Sequence, residues 1–555
     1  MPPRHAWMWG LRRLWKTNIF ATCPATLAAI VQSDQGDAKH NQLLLGNAHM
    51  GDPDVDATER GVRYHAAVLA RAMKASDQVL HRMATSPLRP SQAAPPSHMR
   101  GDWLRAAFVV SGLGIGLTIG LSPLLGAALT VSGLLALVLV NHTAAGVALM
   151  FFLGCIPLST LTEGDRTLLV GLGGVNASGI MLVMLCAALA VAILARGNIP
   201  RLLARFWPHA AWLAYALLAL TYSNSPGDGA RFAAKLVYPF LVMCFAAEAA
   251  RRWRTYRRPI RGWIAGGLVA SAIAFSLFLS SGLAEYFSGT AYRYTSLYHP
   301  SPFSFYLLVL FAFCYSSWRI TKTRSYLLLS MIFGFQVLLS MVRISIFCFV
   351  IVICITEILV RPSPRSIIRS SLIGASILAI MLFALLTIPL LQQGVTYDQT
   401  DSISSLVSNI NDQGRSRIWS SVYESYVNGD SITGMGLGST TKGFRDHLFV
   451  GGTVSVVHNE YLRLLYETGI LGILLFIGML CSHFRQLLTR RDYRRFPILW
   501  IPAVSVLVCY SVVAITDNPL DYYQVLGQYV FGLIGILHGF AQVSRTGWRT
   551  VGKTS

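Results

Sequence analysis

The sequence predicts an all-α fold: a polytopic transmembrane helical bundle of about 12–14 spans with one long external loop domain. Hydrophobic residues make up 54% of the 555 residues and charged residues only 13%, whereas soluble domains carry roughly 25% charged residues. The mean hydropathy is +0.51. The apolar runs are roughly 15–25 residues long, which is the length of a membrane-spanning helix. A helix bonds its own peptide groups, as the interior of a bilayer requires.

The first hundred residues differ from the rest of the chain. Residues 1–103 mix charges of both signs with Pro, Gln and Ser, as in PLRPSQAAPPSHMR at 87–100. A segment of this composition buries too little apolar surface to fold, so we expect a poorly ordered cytoplasmic extension.

Apolar runs follow in quick succession and define the remaining architecture. We expect transmembrane helices 1–11 in 104–391, a large polar loop in 392–462, helices 12–14 in 463–541 and a cytoplasmic tail in 542–555. The predicted spans lie near 104–121, 123–140, 144–158, 168–195, 209–222, 233–249, 262–283, 302–317, 325–340, 343–360, 370–391, 463–482, 497–515 and 523–541.

Positive charge alternates between the loops and predicts the orientation of the bundle. Residues 250–261 contain six arginines and 483–496 contain five, whereas the loop at 516–522 contains two acids and no Lys or Arg. Basic loops stay in the cytoplasm, so both termini are expected there and 392–462 on the opposite side. Because most of the net charge of +21 is placed in this way, it does not point to nucleic acid as a partner.

The sequence offers no metal or cofactor motif. Eight of the nine cysteines lie in apolar runs and no CxxC pair occurs, so neither a disulfide framework nor a zinc site is expected. The glycines of GMGLG at 434–438 lack the lysine spacing of a phosphate-binding loop. They are more typical of a flexible turn.

Arginines on the external side are the first candidates for chemistry, because positive charge is disfavoured there. Arg343 lies in LLSMVRISIF, between two apolar runs and with no acidic neighbour in sequence. An ionisable residue at such a position marks a substrate path or partner, or an arginine that reaches lipid phosphate. Arg also suits diphosphates, because its planar fork donates two parallel hydrogen bonds. Further external arginines are Arg231, Arg293, Arg415 and Arg417.

His458 is the second candidate, because histidine exchanges a proton near neutral pH. It stands just before an apolar run and is followed by Asn459. Taken alone, an exposed loop histidine is usually incidental, so the surrounding sequence decides its interpretation.

The sequence around His458 resembles the signature of the O-antigen ligase and O-antigen polymerase superfamily. That signature is a His, then Asn, Ser or Gln, then nine residues and Gly-x-x-Gly. The segment HNEYLRLLYETGILG matches it with His458, Asn459, Gly469 and Gly472.

Three upstream segments add to the resemblance. GRSRIW at 414–419 is similar to the family's Gly-Arg-x-x-x-Trp element, and GMGLG is similar to its Gly-x-Gly turn. SMVRIS at 340–345 resembles its Ser-x-Arg element, but two residues separate Ser340 from Arg343, which departs from the family pattern. The similarity covers roughly 290–485 by motif and 104–541 by topology, and it leaves out 1–103.

The resemblance implies a glycosyltransferase in the bacterial inner membrane with its large loop in the periplasm. The donor would be a glycan on undecaprenyl diphosphate, drawn from the membrane lipid, and the acceptor lipid A-core or another glycan. Arg343 and Arg415 would bind the diphosphate, and His458 would be the base for an inverting transfer without metal or cofactor. Secondary substrate contacts would come from Arg231, Arg293, Arg417, Asn459 and His299.

Two other functions stay open at this point. A polymerase of the same superfamily would use a second lipid-linked repeat unit as the acceptor. A polysaccharide transporter or flippase would also need many spans. It should show paired halves or charges at the membrane midplane, and the sequence shows neither feature clearly.

Overall fold

The computed structural model describes residues 138–139, 141–155, 177–194, 199–251, 256–281, 284–286, 291–296, 299–366, 368, 371–372, 374–376, 379, 415–446, 448–449 and 456–551. The extension at 1–103, the predicted spans 104–121 and 370–391 apart from a few residues, most of 123–140, and the first part of the large loop lie outside these residues. The predicted total of spans therefore stays a prediction.

Helices dominate the described residues, which confirms the all-α class. The helices are α1 (Thr143–Leu153), α2 (Ala177–Leu194), α3 (Ile199–Arg205), α4 (Trp207–Leu218), α5 (Pro226–Ala250), α6 (Arg257–Ser281), α7 (Pro300–Thr321), α8 (Arg324–Leu339), α9 (Arg343–Val360), α10 (Arg415–Val427), α11 (Ser439–Arg445), α12 (Glu460–Thr489), α13 (Arg491–Arg494), α14 (Pro497–Thr516) and α15 (Gln528–Val551). A π-helical turn, Tyr523–Gly527, precedes α15. Two short strands, β1 (Ala284–Tyr286) and β2 (Ala291–Arg293), pair antiparallel in the segment before α7.

Seven helices within the described part of the chain are long and apolar enough to cross a membrane: α5, α6, α7, α9, α12, α14 and the unit of the π-helical turn with α15. The pair α2 and α3, bent by 110°, would make an eighth if it counts as one span. Helices α1, α4 and α8 match three further predicted spans, and each is shorter than 18 residues. The protein is therefore a multi-pass membrane protein.

Close helix contacts hold the bundle together, and small residues make them possible. Helices α5 and α15 share the most extensive interface. A Cβ atom on Gly535 would lie 2.3 Å from the carbonyl oxygen of Met243, and one on Gly539 would lie 2.4 Å from that of Ala247. Lipid is as apolar as a leucine side chain, so membrane helices associate through this kind of tight backbone approach.

The second half of the large loop folds against the bundle. Helix α10 buries Ile418 and Val422 against Val457, Phe449 and Tyr466, which form an apolar cluster separate from the membrane core. Helix α11 packs on α12 and α5. The loop is therefore a small cap with its own core, and it brings its charged residues to the beginnings of α5 and α12.

Candidate functional site

His458 lies immediately before α12, and its backbone adopts a left-handed conformation with φ of +51°. Non-glycine residues in this region are uncommon and concentrate at functional positions. The ring nitrogen Nδ1 lies 3.3 Å from Oδ1 of Asp517. A carboxylate can only accept, so Nδ1 carries the proton in this pair. The other nitrogen, Nε2, then has a lone pair that can accept a proton.

Asp517 is a buried carboxylate at the turn between α14 and the π-helical segment, with a side chain only 6% exposed. Its Oδ1 also accepts hydrogen bonds from the hydroxyl of Tyr522 and the backbone N–H of Asn518, both at 2.9 Å. Burial, together with the negative charge of Asp517, raises the pKa of Tyr522 well above its usual range, although Arg415 opposes the shift. The tyrosine hydroxyl therefore stays protonated and holds the carboxylate in place.

Arg415 reaches the same turn from the other direction. It begins α10, and its Nη1 donates to the backbone oxygen of Thr516 at 3.1 Å. Thr516 directly precedes Asp517, the partner of His458. The structure thus brings Arg415 and His458 together at two consecutive residues, Thr516 and Asp517, of the turn after α14.

The tryptophan of the GRSRIW element has a structural role in this arrangement. Trp419 lies one helical turn after Arg415 on α10, and its Nε1 donates to the carbonyl oxygen of Val457 at 2.8 Å. Val457 is the residue before His458. The element therefore places the arginine and fixes the backbone beside the histidine at the same time.

The glycines of the signature are explained by a break in α12. Gly469 has a φ of +65° and is not helical. The N–H of Ile470 donates instead to the carbonyl of Ser431 in the large loop, at 3.1 Å. A Cβ atom on Gly469 would lie 2.1 Å from the oxygen of Ile432, so no other residue fits.

The GMGLG segment forms a turn, as expected, and packing holds that turn in place. Gly434, Gly436 and Gly438 all have positive φ. A Cβ atom on Gly436 would lie 2.3 Å from the Cα atom of Ser223. The turn is therefore packed against the start of α5 and the break in α12. The prediction that this turn is flexible was wrong, because its glycines are in close contact with neighbouring backbone.

A cavity of about 620 Å³ opens next to His458, between α5, the loop helix α11 and the turn after α14. This size is typical of small-molecule sites. Leu182, Phe232 and Val525 contribute apolar walls. Its polar and charged lining includes Asp228, Arg231, Lys235, His458, Asn518 and Asp521.

Ion pairs surround this cavity. Asp521 binds Lys235 at 2.5 Å and Arg463 at 2.6 Å. Burial of the Asp521 carboxyl favours a higher pKa, but these two cations outweigh it and hold the pKa below its usual range. Arg463 also contacts Glu467 at 3.5 Å, one helical turn further along the same face of α12. Glu467 in turn accepts hydrogen bonds from Thr440 of α11, which ties the cap to α12.

The remaining predicted residues are spread around the site. Arg231 lines the cavity and pairs with Asp228 at 3.8 Å. Asn459 caps α12, because its Oδ1 accepts from the N–H of Leu462 at 3.0 Å. His299 caps α7 in a similar way, with Nδ1 at 3.5 Å from the N–H of Ser301. These two caps are structural roles that the sequence did not predict.

Three arginines complete the predicted set. Arg343 is half-buried and begins α9, after a turn in which Met341 has a φ of +53°. Arg417 is exposed on α10, two residues after Arg415 and therefore on a different helix face. Arg293 ends β2, and its side chain lies outside the described residues. Within the described structure, neither Arg343 nor Arg415 lines the cavity beside His458.

The sequence did not predict two residues of the site. It left the role of Asp517 open and did not single out Asn518. The available signal was the polar turn TDNPLD at 516–521 between two strongly apolar runs. No group of three His, Cys, Asp or Glu side chains in the described residues has the arrangement of a metal site.

The fold and the site define a multi-pass membrane protein with a charged cavity, a histidine held by a buried carboxylate, and an arginine beside it. Residues 326–477 match the O-antigen ligase family (Wzy_C). The resemblance seen in the sequence is thereby confirmed for this stretch, which contains Arg343, Arg415 and His458. No curated protein matches the chain. The match supports a glycosyltransferase-type membrane enzyme of O-antigen or related polysaccharide synthesis.

Proposed function

We propose that the protein transfers a glycan from undecaprenyl diphosphate to an acceptor hydroxyl at the periplasmic face of the bacterial inner membrane. The favoured reaction is ligation of O-antigen to lipid A-core. The observation that carries the proposal is the His458–Asp517 pair with Arg415 bound to the adjacent residue. The residue proposed as the base and the residue proposed to bind phosphate thus contact the same turn, at the end of the spans where we expect the lipid-linked donor.

In this proposal His458 removes the acceptor proton. Nε2 takes the proton from the hydroxyl while Asp517 keeps Nδ1 protonated and stabilises the imidazolium that forms. The acceptor oxygen attacks the anomeric carbon of the donor sugar, and the bond between that carbon and the diphosphate oxygen breaks. A single displacement of this kind inverts the anomeric configuration.

The leaving diphosphate gains negative charge as the bond breaks. Arg415 and Arg343 stabilise that charge, since a guanidinium donates paired hydrogen bonds to phosphate and keeps its own charge. These cations take the part that a metal ion plays in other phosphate chemistry, and the proposal invokes no cofactor. Arg231 would contact substrate in the cavity, and Arg293, Arg417, Asn459 and His299 stay predicted contacts. Both termini would be cytoplasmic.

Deletion of the gene, followed by electrophoresis of the surface polysaccharide, tests the proposal. A ligase deletion removes all capped chains and leaves uncapped lipid A-core. A polymerase deletion instead leaves core that carries a single repeat unit, which would replace the favoured acceptor by the alternative one. An unchanged profile would refute the glycosyltransferase and leave a transporter or another role. Complementation with the wild-type chain is the control for effects on neighbouring genes.

A further inference from the structure

Asn518 lines the cavity beside His458, and neither polar atom of its side-chain amide forms a hydrogen bond in the described structure. The side chain is 2% exposed. Neither Nδ2 nor Oδ1 has a hydrogen-bond partner in the described structure. Burial of an amide that bonds nothing is unfavourable, so these two atoms point to a ligand that supplies both a donor and an acceptor. A sugar hydroxyl does both.

The cations that line the cavity are already paired with carboxylates. Asp228 pairs with Arg231, and Asp521 pairs with both Lys235 and Arg463. A diphosphate would bring about two negative charges next to these carboxylates and would have to compete with them for the cations, which is unfavourable away from water. Uncharged hydroxyl groups meet no such cost.

The position of His458 in the cavity lining indicates whether the cavity binds the donor sugar or the acceptor sugar. A general base must lie within hydrogen-bond reach of the proton that it removes. His458 lines the cavity, whereas Arg343 and Arg415, the proposed diphosphate ligands, are absent from its described lining. In the proposed mechanism, the sugar held beside His458 is then the one that gives up its proton, and the diphosphate would bind outside this cavity, at Arg343 and Arg415.

We propose that this cavity is the acceptor site, and that it binds an uncharged part of an acceptor saccharide through Asn518 and the paired charges around it. The inference rests on the proposed function and adds the location and the chemical class of the acceptor group. It makes Asn518 a binding residue whose amide contacts sugar hydroxyls next to the one that reacts.

Transfer kinetics with the full-length protein in lipid nanodiscs test this site. The probes are rough lipopolysaccharide as acceptor and a fluorescent undecaprenyl-diphosphate-linked repeat unit as donor, each varied while the other is saturating. For Asn518→Leu we expect the acceptor KM to rise about tenfold or more, because two hydrogen bonds to the sugar are lost. The donor KM should not change. Thermal stability should be unchanged or higher, since the amide bonds nothing within the described protein.

The matched control is Asn428→Leu, at an exposed position after α10, which should leave both KM values unchanged. A rise in donor KM alone would show that the cavity holds the donor and would overturn the acceptor site. A lower melting temperature with a proportional loss of active protein would show that Asn518 has a structural role. That result would also overturn the acceptor site. If wild-type protein transferred no glycan, the proposed function would fail and the inference with it.

Asn518→Asp tests whether the group bound in the cavity is uncharged. An aspartate still accepts hydrogen bonds, so an uncharged saccharide should lose less affinity than in Asn518→Leu. An anionic group in the cavity would be repelled by the added carboxylate. Asn518→Asp would then lose more acceptor affinity than Asn518→Leu. That reversal would refute the uncharged class.

Discussion

Two histidine environments lie at opposite ends of α12. His458, before its first turn, is 27% exposed and bonded to a carboxylate. His483, near its other end, is 2% exposed, and its Nε2 lies 3.2 Å from Nδ1 of the equally buried His209. Aromatic rings of Phe206 and Phe531 surround this second pair. A carboxylate stabilises an imidazolium, whereas a dry pair of imidazoles does not. Residue type alone therefore does not identify a base. The exposure of the ring and the residue that it hydrogen-bonds to are needed as well.

Replacement of His458 tests the exposed end of this comparison and should have the largest effect. His458→Ala removes the base, so we expect transfer in the nanodisc assay to fall by a factor of roughly 10² to 10⁴. The melting temperature should change little, because the ring is partly exposed. Full transfer by a well-folded His458→Ala protein would show that the histidine is not the base.

Replacement of Asp517 tests whether its hydrogen bond to His458 is needed for His458 to act as a base. In Asp517→Asn the amide can donate to Nδ1, which moves the ring proton to Nε2 and removes the lone pair that should accept the acceptor proton. We expect transfer to fall about 10²-fold or more. The matched control is Asp446→Asn on the exposed rim of the cap, which should keep normal transfer. Equal rates in the two variants would remove Asp517 from the mechanism.

Arg415→Lys tests whether the cation beside the histidine acts through its shape. Lysine keeps the charge but loses the planar fork, so we expect transfer to fall roughly tenfold to a hundredfold with a higher donor KM. Arg494→Lys is the control, because Arg494 also donates to a backbone carbonyl, that of Leu488, on the exposed surface. A normal donor KM in Arg415→Lys would argue against a diphosphate contact.

The buried pair should affect stability and leave the rate unchanged. His483→Phe leaves Nδ1 of His209 without its partner, which should lower the free energy of unfolding by about 1–3 kcal/mol. The double variant His209→Phe, His483→Phe should recover part of this loss, and transfer per folded molecule should stay normal throughout. Loss of transfer without loss of stability would give the buried pair a role in the reaction.

The sequence predicted the parts of the molecule that depend on local pattern. The length of the apolar runs located the spans that correspond to α5, α7, α9, α12 and α14. The signature around His458 indicated the family. The sequence did not indicate Asp517 and Asn518. Asp517 meets His458, and Asn518 joins the same cavity, only through the packing of α14 against α12. The caps at Asn459 and His299 were missed because a motif records residue types and not the direction of their side chains.

The break at Gly469 is the point where the cap docks onto α12. Beyond the glycine, the N–H groups of Ile470 and Leu471 donate to the carbonyl oxygens of Ser431 and Ile432 of the cap. Before the glycine, the carbonyl oxygen of Tyr466 accepts from the N–H of Met435. One interruption of a helix thus gives the cap a backbone-bonded seat, which fixes the loop relative to the helix that begins after His458.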